Sequence, residues 1–375
     1  GGAKGMKAMM QSNFEGFAQN AYCAAPEKTT KPYDGLSSDR MWSFETGDLD
    51  VLRRHIPEAA VVTPVIFNRT DFKHRDCKTQ GTAKGVSPDY VAVENPKLSH
   101  GRYIQEADLR DCRKVCVLGE KMASQLFPND RNPVGKYIEM QGIYFQVVGI
   151  SSLTSNVGVG GPASRSVYMP YTTLQRLLGC GDHFDMLALT TRPGHTVSSI
   201  QRKIELEVKK LHRIDPSDQQ ALMSINVESM FQMIQSLFDG INILVWMIGI
   251  GTLLSGSIGV SNIMMVVVKE RTTEIGVRRA LGAHPSHILV QILTESAVLT
   301  LLAGLSGIVF AVLILAAADS GIGSNFPSLA PGSFLISFSM AIGSALALSA
   351  LGTVAGVAPA LRALAIKPVD AMRDE

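Results

Sequence analysis

Long runs of apolar residues alternate with short polar connections in the C-terminal part of the chain. Three runs, at 241–268, 287–318 and 333–360, contain very few charged residues. A helix needs about 20 mainly apolar residues to cross the roughly 30 Å hydrocarbon core of a bilayer. The pattern therefore predicts three transmembrane helices, joined by connections at 269–286 and 319–332 and followed by a tail at 361–375.

The helical pattern of the first apolar run begins before the run itself. Apolar residues recur at helical spacing at Met230, Phe231, Ile234 and Leu237, and no proline interrupts 228–268. At about 1.5 Å per residue, a helix of that length would measure roughly 60 Å, about twice the hydrocarbon thickness. We therefore expect 228–240 to be a helical stalk that projects from the membrane.

The polar part of the chain before this stalk mixes helix and strand patterns. β-Branched residues between prolines predict a strand at 60–67, and 114–150 reads as strand, short helix, turn and a hairpin centred on Gln141-Gly142. Helical patterns cover 48–56 and 198–212, and a Ser-, Gly- and Pro-rich loop covers 152–164. An α+β domain is therefore predicted for 21–227, preceded by a helix at 1–20.

The connection after the first span is a charged island between two apolar runs. Glu274 stands four residues before Arg278, which is the favourable orientation for an ion pair within a helix. Arg278 and Arg279 lie near the C-terminal end, where the helix dipole favours cations. Gly282 is suited to end this helix and Pro285 to begin the next one. The island therefore predicts a short helix, with an apolar side at Ile275, Ala280 and Leu281.

Cations indicate how the spans are oriented. Lys and Arg are concentrated in the 269–286 connection and in the tail, whereas the 319–332 connection has only Asp319. Cytoplasmic loops carry the excess of Lys and Arg, so the 269–286 connection and the tail are predicted to be cytoplasmic. Residues 1–237 are then extracytoplasmic, and we expect a further transmembrane helix to precede Gly1.

Composition removes several classes of function. The net charge of +2 over 375 residues gives no basic stripe suited to nucleic acid. The five cysteines lie in the polar part of the chain, where an odd number leaves at least one unpaired and the pairing stays open. Cys112 and Cys116 lack a second matching pair, so no metal site is predicted. The sequence contains no Gly-x-x-x-x-Gly-Lys-Ser/Thr loop, so we predict neither ATP binding nor enzyme activity for this chain.

The segment 261–283, Ser-Asn-Ile-Met-Met-Val-Val-Val-Lys-Glu-Arg-Thr-Thr-Glu-Ile-Gly-Val-Arg-Arg-Ala-Leu-Gly-Ala, resembles the signature of the MacB/FtsX-like ABC permeases. The 114–150 block, with its Pro-Val-Gly-Lys turn and Phe-x-Val-Val-Gly strand, is similar to the periplasmic core domain of MacB-type members. The resemblance implies an α+β extracytoplasmic domain on a helical stalk, plus an all-α transmembrane domain. The family has four spans, so the first one would be absent from this sequence.

The resemblance also implies partners and a site. A cytoplasmic ABC ATPase would carry the ATP and Mg²⁺, either as a separate subunit or as a further domain of the same protein. It would dock on the island through Lys269, Glu270, Arg271, Glu274, Ile275, Arg278, Arg279, Leu281 and Gly282. The permease would work as a pair with a second copy, as a homodimer or a heterodimer, in the lipid of the bacterial inner membrane. A periplasmic adaptor and an outer-membrane channel would complete an efflux system for antibiotic, peptide or toxin substrates.

Two sets of residues in the spans remain open to more than one interpretation. Small residues at Gly249, Gly251, Ser255, Gly256 and Gly259 favour close helix packing, either as a dimer seam or within one bundle. Gln291 and Glu295 lie early in the second span. An ionisable group there is a functional hypothesis, but its closeness to the cytoplasmic face fits interfacial packing equally well.

The same family supports other outputs. FtsX-like relatives control cell-wall hydrolases and transport nothing, and related permeases extract lipoproteins. The long extracytoplasmic part and the 114–150 block favour the MacB-like efflux function. Co-purification of partners separates the alternatives.

Overall fold

The computed structural model describes residues 16–152, 158–323 and 338–365. The chain divides into two units, which join along the sequence at Gln235 and Ser236. The first unit contains twelve strands and five helices in the described residues, and the second contains long helices. The α+β domain and the helical domain of the predicted fold class are both present.

The strands and helices of the first unit are short, apart from one long hairpin. In chain order they are β1 Ala21–Pro26, β2 Phe44–Glu45, α1 Thr46–His55, β3 Ala59–His74, β4 Cys77–Val86, β5 Leu98–Gly101, α2 Glu106–Arg110, β6 Val115–Gly119, α3 Glu120–Leu126, β7 Tyr137–Met140, β8 Ile143–Ser151, β9 Ser166–Pro170, α4 Tyr171–Leu178, β10 His183–Phe184, β11 Met186–Thr191, α5 Val197–Leu211 and β12 Leu222–Asn226. Short 3₁₀ turns cover Pro88–Ala92 and Ala163–Arg165.

Ten of these strands form one mixed sheet, in the order β12-β1-β11-β3-β4-β9-β6-β8-β5, with β7 beside β3 and β8. The β4–β9 and β6–β8 pairs are parallel. The predicted hairpin is confirmed: β7 and β8 pair antiparallel around Gln141 and Gly142, whose φ angles of 50° and 80° fit a type I′ turn. The predicted strand at 60–67 lies within the longer β3.

Alternating side chains give the sheet two buried faces. On β1, Tyr22 and Ala24 join the larger core, and Ala21 and Cys23 join the smaller one. This division follows from the two-residue period of a strand. Helices α1, α3, α4 and α5 cover the larger core. The smaller core includes Tyr90 and Val93 from the 3₁₀ turn and its end.

In its described residues, the second unit contains most of α6 Val227–Glu270, together with α7 Thr272–Ala280, α8 Pro285–Gly323 and α9 Phe338–Ala365. Helix α6 begins in the first unit and, at about 1.5 Å per residue, extends roughly 65 Å. The continuous helix predicted for 228–268 is confirmed. That 228–240 lies outside a membrane stays a prediction.

Three described helices are long and apolar enough to cross a membrane: Val227–Glu270, Pro285–Ala317 and Ile342–Leu364. Side chains such as Leu244, Trp246 and Met247 are more than half exposed. Exposed apolar surface of this kind is suited to lipid. These three helices indicate a membrane protein.

Several predicted boundaries were wrong. Residues 16–20 are not helical, because Phe17 forms a β-bridge with Glu94; residues 1–15 lie outside the described residues. Helix α8 continues to Gly323, and α9 to Ala365, where Ala360 and Ala363 pack into an apolar cluster. Helix α8 thus runs past Asp319, and α9 past Arg362, because a helix satisfies its own backbone groups and can continue beyond the apolar run. Of the predicted 152–164 loop, residues 152 and 158–164 are described, and its end enters the 3₁₀ turn Ala163–Arg165.

Candidate functional site

Helix α7 forms within the charged island, where the sequence predicts a short helix. Glu274 lies in its first turn, and Arg278 and Arg279 lie in its last. Its end is closed by two backbone bonds, from the Gly282 N–H to the Arg279 oxygen at 3.1 Å and from the Ala283 N–H to the Arg278 oxygen at 3.0 Å. Gly282 has a φ of +95°, and α8 begins at Pro285. The predicted stop and start signals are both confirmed.

The apolar side of α7 is smaller than the sequence suggests. Ile275 is buried among side chains of the three long helices, namely Met264, Val268, Ile288, Ile292, Ala360 and Ala363. Ala280 is exposed, and Leu281 is 83% exposed. The prediction that Ile275 shares one apolar side with Ala280 and Leu281 was therefore wrong, and the contact of Leu281 with an ATPase stays a prediction. Val277, which is 45% exposed, lies one helical turn before Leu281, and the two side chains form an outward apolar patch.

Arg278 joins α7 to the next long helix. Its guanidinium lies 2.6 Å from Glu274 Oε1, so the predicted pair four residues apart is confirmed. The same guanidinium donates a hydrogen bond to Gln291 Oε1 of α8 at 3.0 Å. Sequence spacing indicated the first contact but not the second, because Gln291 is brought close only by the turn at Gly282.

Arg271 makes the second connection. Its Nη1 lies 3.2 Å from Glu295 Oε1, and Gln291 Nε2 donates a hydrogen bond to the same oxygen at 3.4 Å. The side chain of Glu295 is 39% exposed. Glu295 and Gln291 are therefore neighbours of the charged island, as the packing interpretation expects, and they extend the candidate site onto α8.

A third connection reaches the end of α9. Arg279 Nη1 donates a hydrogen bond to the Leu364 carbonyl oxygen at 2.9 Å. The last carbonyls of a helix have no partner within the helix, and the dipole at that end favours a cation. Lys269 and Glu270, at the end of α6, are exposed. The charged island is thus held to all the long helices of its unit while one side stays open.

The small residues of α6 remain uncovered within the second unit. A Cβ placed at Gly249, Gly251, Gly256 or Gly259 would meet nothing within 4 Å in the described structure, and Ser255 is exposed. Gly256 lines a cavity of about 260 Å³ between α6, α8 and α9. A dimer seam at these residues stays a prediction.

Close packing within the bundle uses other glycines, which the sequence did not reveal. A Cβ at Gly352 would lie 2.6 Å from the Thr300 side chain, and one at Gly356 would lie 2.9 Å from Ser296 Cβ. The hydroxyl of Ser296 donates a hydrogen bond to the Gly352 oxygen at 2.8 Å and is fully buried. Helices α8 and α9 therefore pack through small residues.

The five cysteines are free thiols in this structure. Burial raises the pKa of Cys23 to about 12, so that thiol is unreactive at neutral pH. In the described part of the chain, no group of three or more His, Cys, Asp or Glu side chains could hold a metal ion.

Comparison with known proteins identifies the family. The profile of the MacB-like periplasmic core domain matches residues 3–206, more than half of the chain, and that of the FtsX-like permease C-terminal region matches residues 246–368. The chain belongs to the MacB/FtsX-like ABC permeases. The first match covers most of the α+β domain, and the second covers the island and the three long helices, so both parts of the resemblance are confirmed.

Curated members of this MacB/FtsX-like family align over most of the chain. The macrolide export ATP-binding/permease protein MacB of Acinetobacter baylyi is 30% identical over 331 residues, which is 88% of this chain and 47% of the relative. The pyoverdine export ATP-binding/permease protein PvdT of Pseudomonas syringae pv. syringae is 29% identical over 323 residues, or 85% and 47%. The chain spans about half the length of these relatives.

Two solved structures also match. The periplasmic region of MacB from Actinobacillus actinomycetemcomitans is 20% identical, with a TM-score of 0.47, over 60% of this chain and 96% of that one. The extracellular domain of the transporter YknZ from Gram-positive bacteria is 18% identical, with a TM-score of 0.44, over 55% and 100%.

Proposed function

We propose that this chain is the permease part of an ABC efflux system in the bacterial inner membrane. A cytoplasmic ATPase, which binds ATP and Mg²⁺, docks on α7 and moves it. The motion passes along α6 to the extracytoplasmic domain. The observation that carries this proposal is the anchoring of α7: three arginines tie it to α8 and α9, while its outward side exposes Val277 and Leu281.

The anchors make α7 suited to act as a handle. Exposed ion pairs contribute only about 0.2–1 kcal/mol each, so no single pair fixes the helix. The burial of Ile275 adds an apolar contact of larger size, about 1.5–3 kcal/mol for a fully buried aliphatic side chain. Together these contacts favour movement of α7 as one body with the ends of the long helices.

The continuous helix α6 connects α7 to the extracytoplasmic domain and can transmit its movement. No residue of Val227–Glu270 leaves the helical conformation, so a tilt or shift at Glu270 is passed to Val227. Helix α6 continues at its N-terminal end into β12 of the α+β domain. We therefore propose mechanical transmission, with the substrate handled outside the membrane.

The names of the relatives suggest the substrate class. They export macrolides and pyoverdine, so we propose that an antibiotic, a peptide or a toxin is expelled here. The remaining partners proposed are a second copy of the permease, a periplasmic adaptor and an outer-membrane channel. The proposed seam with the second copy consists of the small residues Gly249, Gly251, Ser255, Gly256 and Gly259. A Cβ at any of these glycines would meet nothing within 4 Å in the described structure, and Ser255 is exposed.

Co-purification tests the proposal. The protein is solubilised from its native membrane, and the proteins bound to it are identified. An ABC ATPase with an adaptor or a channel supports efflux. An ATPase with a cell-wall hydrolase indicates signalling, and an ATPase with a lipoprotein carrier indicates lipoprotein extraction. Recovery of the protein without any ATPase overturns the proposal.

A pair of variants locates the docking surface. Leu281→Asp places a charge on the outward patch and should reduce the recovered ATPase by about tenfold, the equivalent of 1.4 kcal/mol. Met223→Asp is the matched control, since Met223 is 43% exposed in the other unit. Equal recovery of the ATPase with both variants would place the docking surface elsewhere.

A further inference from the structure

Two opposite charges are buried in the smaller core of the α+β domain. The side chains of Lys84 on β4 and Glu94 are 0% and 1% exposed, and Lys84 Nζ lies 3.2 Å from Glu94 Oε1 and 3.3 Å from Oε2. Burial lowers the pKa of Lys84, while the charge of Glu94 opposes this shift. Nothing in the local sequence indicates the pair, because the two residues look like ordinary surface charges.

Both charges have a full set of partners. The carboxylate of Glu94 accepts hydrogen bonds from the Val159 N–H at 2.8 Å and from the Tyr168 hydroxyl at 2.9 Å. The ammonium of Lys84 donates to the Gly161 oxygen at 3.2 Å and lies 5.3 Å from the centre of the Tyr168 ring. A buried ion pair with complete hydrogen bonding is conformationally selective, since any displacement leaves a charge unpaired.

The pair holds the glycine segment, residues 158–161. A Cβ at Gly158 would lie 2.8 Å from Glu94 Oε1, so a side chain there would collide with the pair. Gly160 has a φ of +70° and packs against the Phe67 ring. The backbone of this segment can reach Lys84 and Glu94 only because it lacks side chains at these positions.

The same pair is connected to both ends of the domain. The backbone beside Glu94 binds the N-terminal residues, with the Asn95 N–H 2.6 Å from the Gly16 oxygen and the Ala18 N–H 2.9 Å from the Val93 oxygen. At the other end, Val227 at the start of α6 is buried in the same core as Val93 and Tyr168, and Phe231 packs against it. Displacement of α6 therefore acts on the smaller core, whose residues Val93 and Tyr168 are the neighbours of Glu94.

Two further tyrosines belong to the same core as Val93 and Tyr168. The hydroxyls of Tyr90 and Tyr103 are buried without a hydrogen-bond partner among the described residues. Burial, followed by the negative charge of Glu94, raises the pKa of both well above the usual value, so both hydroxyls stay protonated.

We propose that Lys84 and Glu94 are positioning residues that couple the glycine segment to the start of α6, so that ATP-driven movement of α6 releases Val159 from Glu94. This inference rests on the proposed function. The pair then converts the tilt of a helix into exposure of a backbone segment on the extracytoplasmic domain.

Hydrogen exchange in the complete complex with its ATPase tests the release. The Val159 amide should exchange slowly without nucleotide and at least about tenfold faster during ATP turnover, since a hydrogen-bonded buried amide exchanges only when it opens. An unchanged rate during turnover overturns the coupling. Failure of the proposed function gives a different result, because no ATPase would then be bound to the chain.

Paired variants test the positioning. Lys84→Met/Glu94→Leu removes both charges and every acceptor for Val159, whereas Lys84→Met/Glu94→Gln keeps an acceptor oxygen. The first should raise exchange at Val159 at least about tenfold without nucleotide and abolish export, and the second should retain slow exchange and most export. Lys203→Met/Glu58→Leu removes an exposed ion pair and serves as the control. Slow exchange at Val159 in the first variant overturns the proposal, and so does fast exchange together with full export. If the first variant fails to fold, the exchange rate of Val159 in the wild-type complex, with and without ATP turnover, decides.

Discussion

Arg271 and Glu295 form an ion pair of 3.2 Å between the start of α7 and the second long helix, 24 residues later in the chain. Each side chain is about half or less exposed, and the carboxylate also accepts a hydrogen bond from Gln291. Glu295 is therefore one of the residues that hold α7 to α8. Its role can be measured separately from its contribution to stability.

Glu295→Gln should weaken coupling more than it weakens folding. An exposed pair contributes about 0.2–1 kcal/mol, so the melting temperature should change by only a few degrees. Export should fall several-fold while the ATPase stays bound, because α7 loses one of the ion pairs that hold it to α8. A double-mutant cycle with Arg271→Gln should show an interaction between the two sites in export assays. Additive effects on export would show that the pair does not act as a unit, and Asp50→Asn, which breaks the exposed Arg53–Asp50 pair, is the control.

Gly352→Ala should destabilise the helical unit. Its new Cβ would lie 2.6 Å from the Thr300 side chain, so α8 and α9 must separate or Thr300 must move, at a cost of about 1–3 kcal/mol. Gly307→Ala makes the same change at a position on α8 where nothing described lies within 4 Å. Thermal unfolding in detergent should show a lower midpoint for the first variant and little change for the second. Equal midpoints would mean that α8 and α9 can separate without cost.

Local rules were sufficient for most of the chain. The Glu274–Arg278 pair, the stop at Gly282 and the turn at Gln141-Gly142 depend on residues close in sequence, and all three were predicted correctly. The Lys84–Glu94 pair, the contact of Arg279 with Leu364 and the docking of Phe17 on Glu94 depend on distant segments. Hydrophobic periodicity carries no information about such partners. The burial of Ile275 apart from Leu281 was missed for a related reason, because helical spacing does not show which residues a neighbouring helix covers.

Acid should weaken the contact between α1 and the end of α5. Asp48 Oδ2 lies 2.9 Å from His212 Nε2 and accepts the Glu45 N–H at 2.8 Å. Burial raises the pKa of Asp48, but these hydrogen bonds outweigh it and hold that pKa below its usual value. A lowered folded-state pKa stabilises above the unfolded value of about 3.9 and loses that contribution as the pH falls through the folded value.

Asp48→Asn should therefore lower the free energy of unfolding by about 1–2 kcal/mol at neutral pH. Below about pH 4, the free energy of unfolding of this variant should change less with pH than that of the wild type. Trp42 reports the change, since its ring centroid lies 4.5 Å from that of His212. The measurement is denaturant unfolding of the full chain followed by tryptophan fluorescence, with Trp246→Phe in every variant so that Trp42 is the only source. Asp50→Asn alters an exposed carboxylate of the same helix and should leave the acid limb unchanged. If the free energy of unfolding falls equally below about pH 4 in both variants, Asp48 is excluded as the source of that fall.

Proline substitutions test whether α6 must be continuous. Ser229 lies in the first turn of α6, where its N–H is bonded to Asn226 Oδ1 at 3.0 Å rather than within the helix. Ser229→Pro should cost only about the 1 kcal/mol of a cap and retain export. Gln235→Pro falls in the exposed helix interior, where it removes a backbone bond and breaks or kinks the helix at a cost of about 3 kcal/mol or more. Export should be lost while the ATPase still binds at α7. Export by the Gln235→Pro chain would show that motion reaches the extracytoplasmic domain by a route other than α6, and loss of the ATPase would show that the cytoplasmic site depends on this helix for its fold.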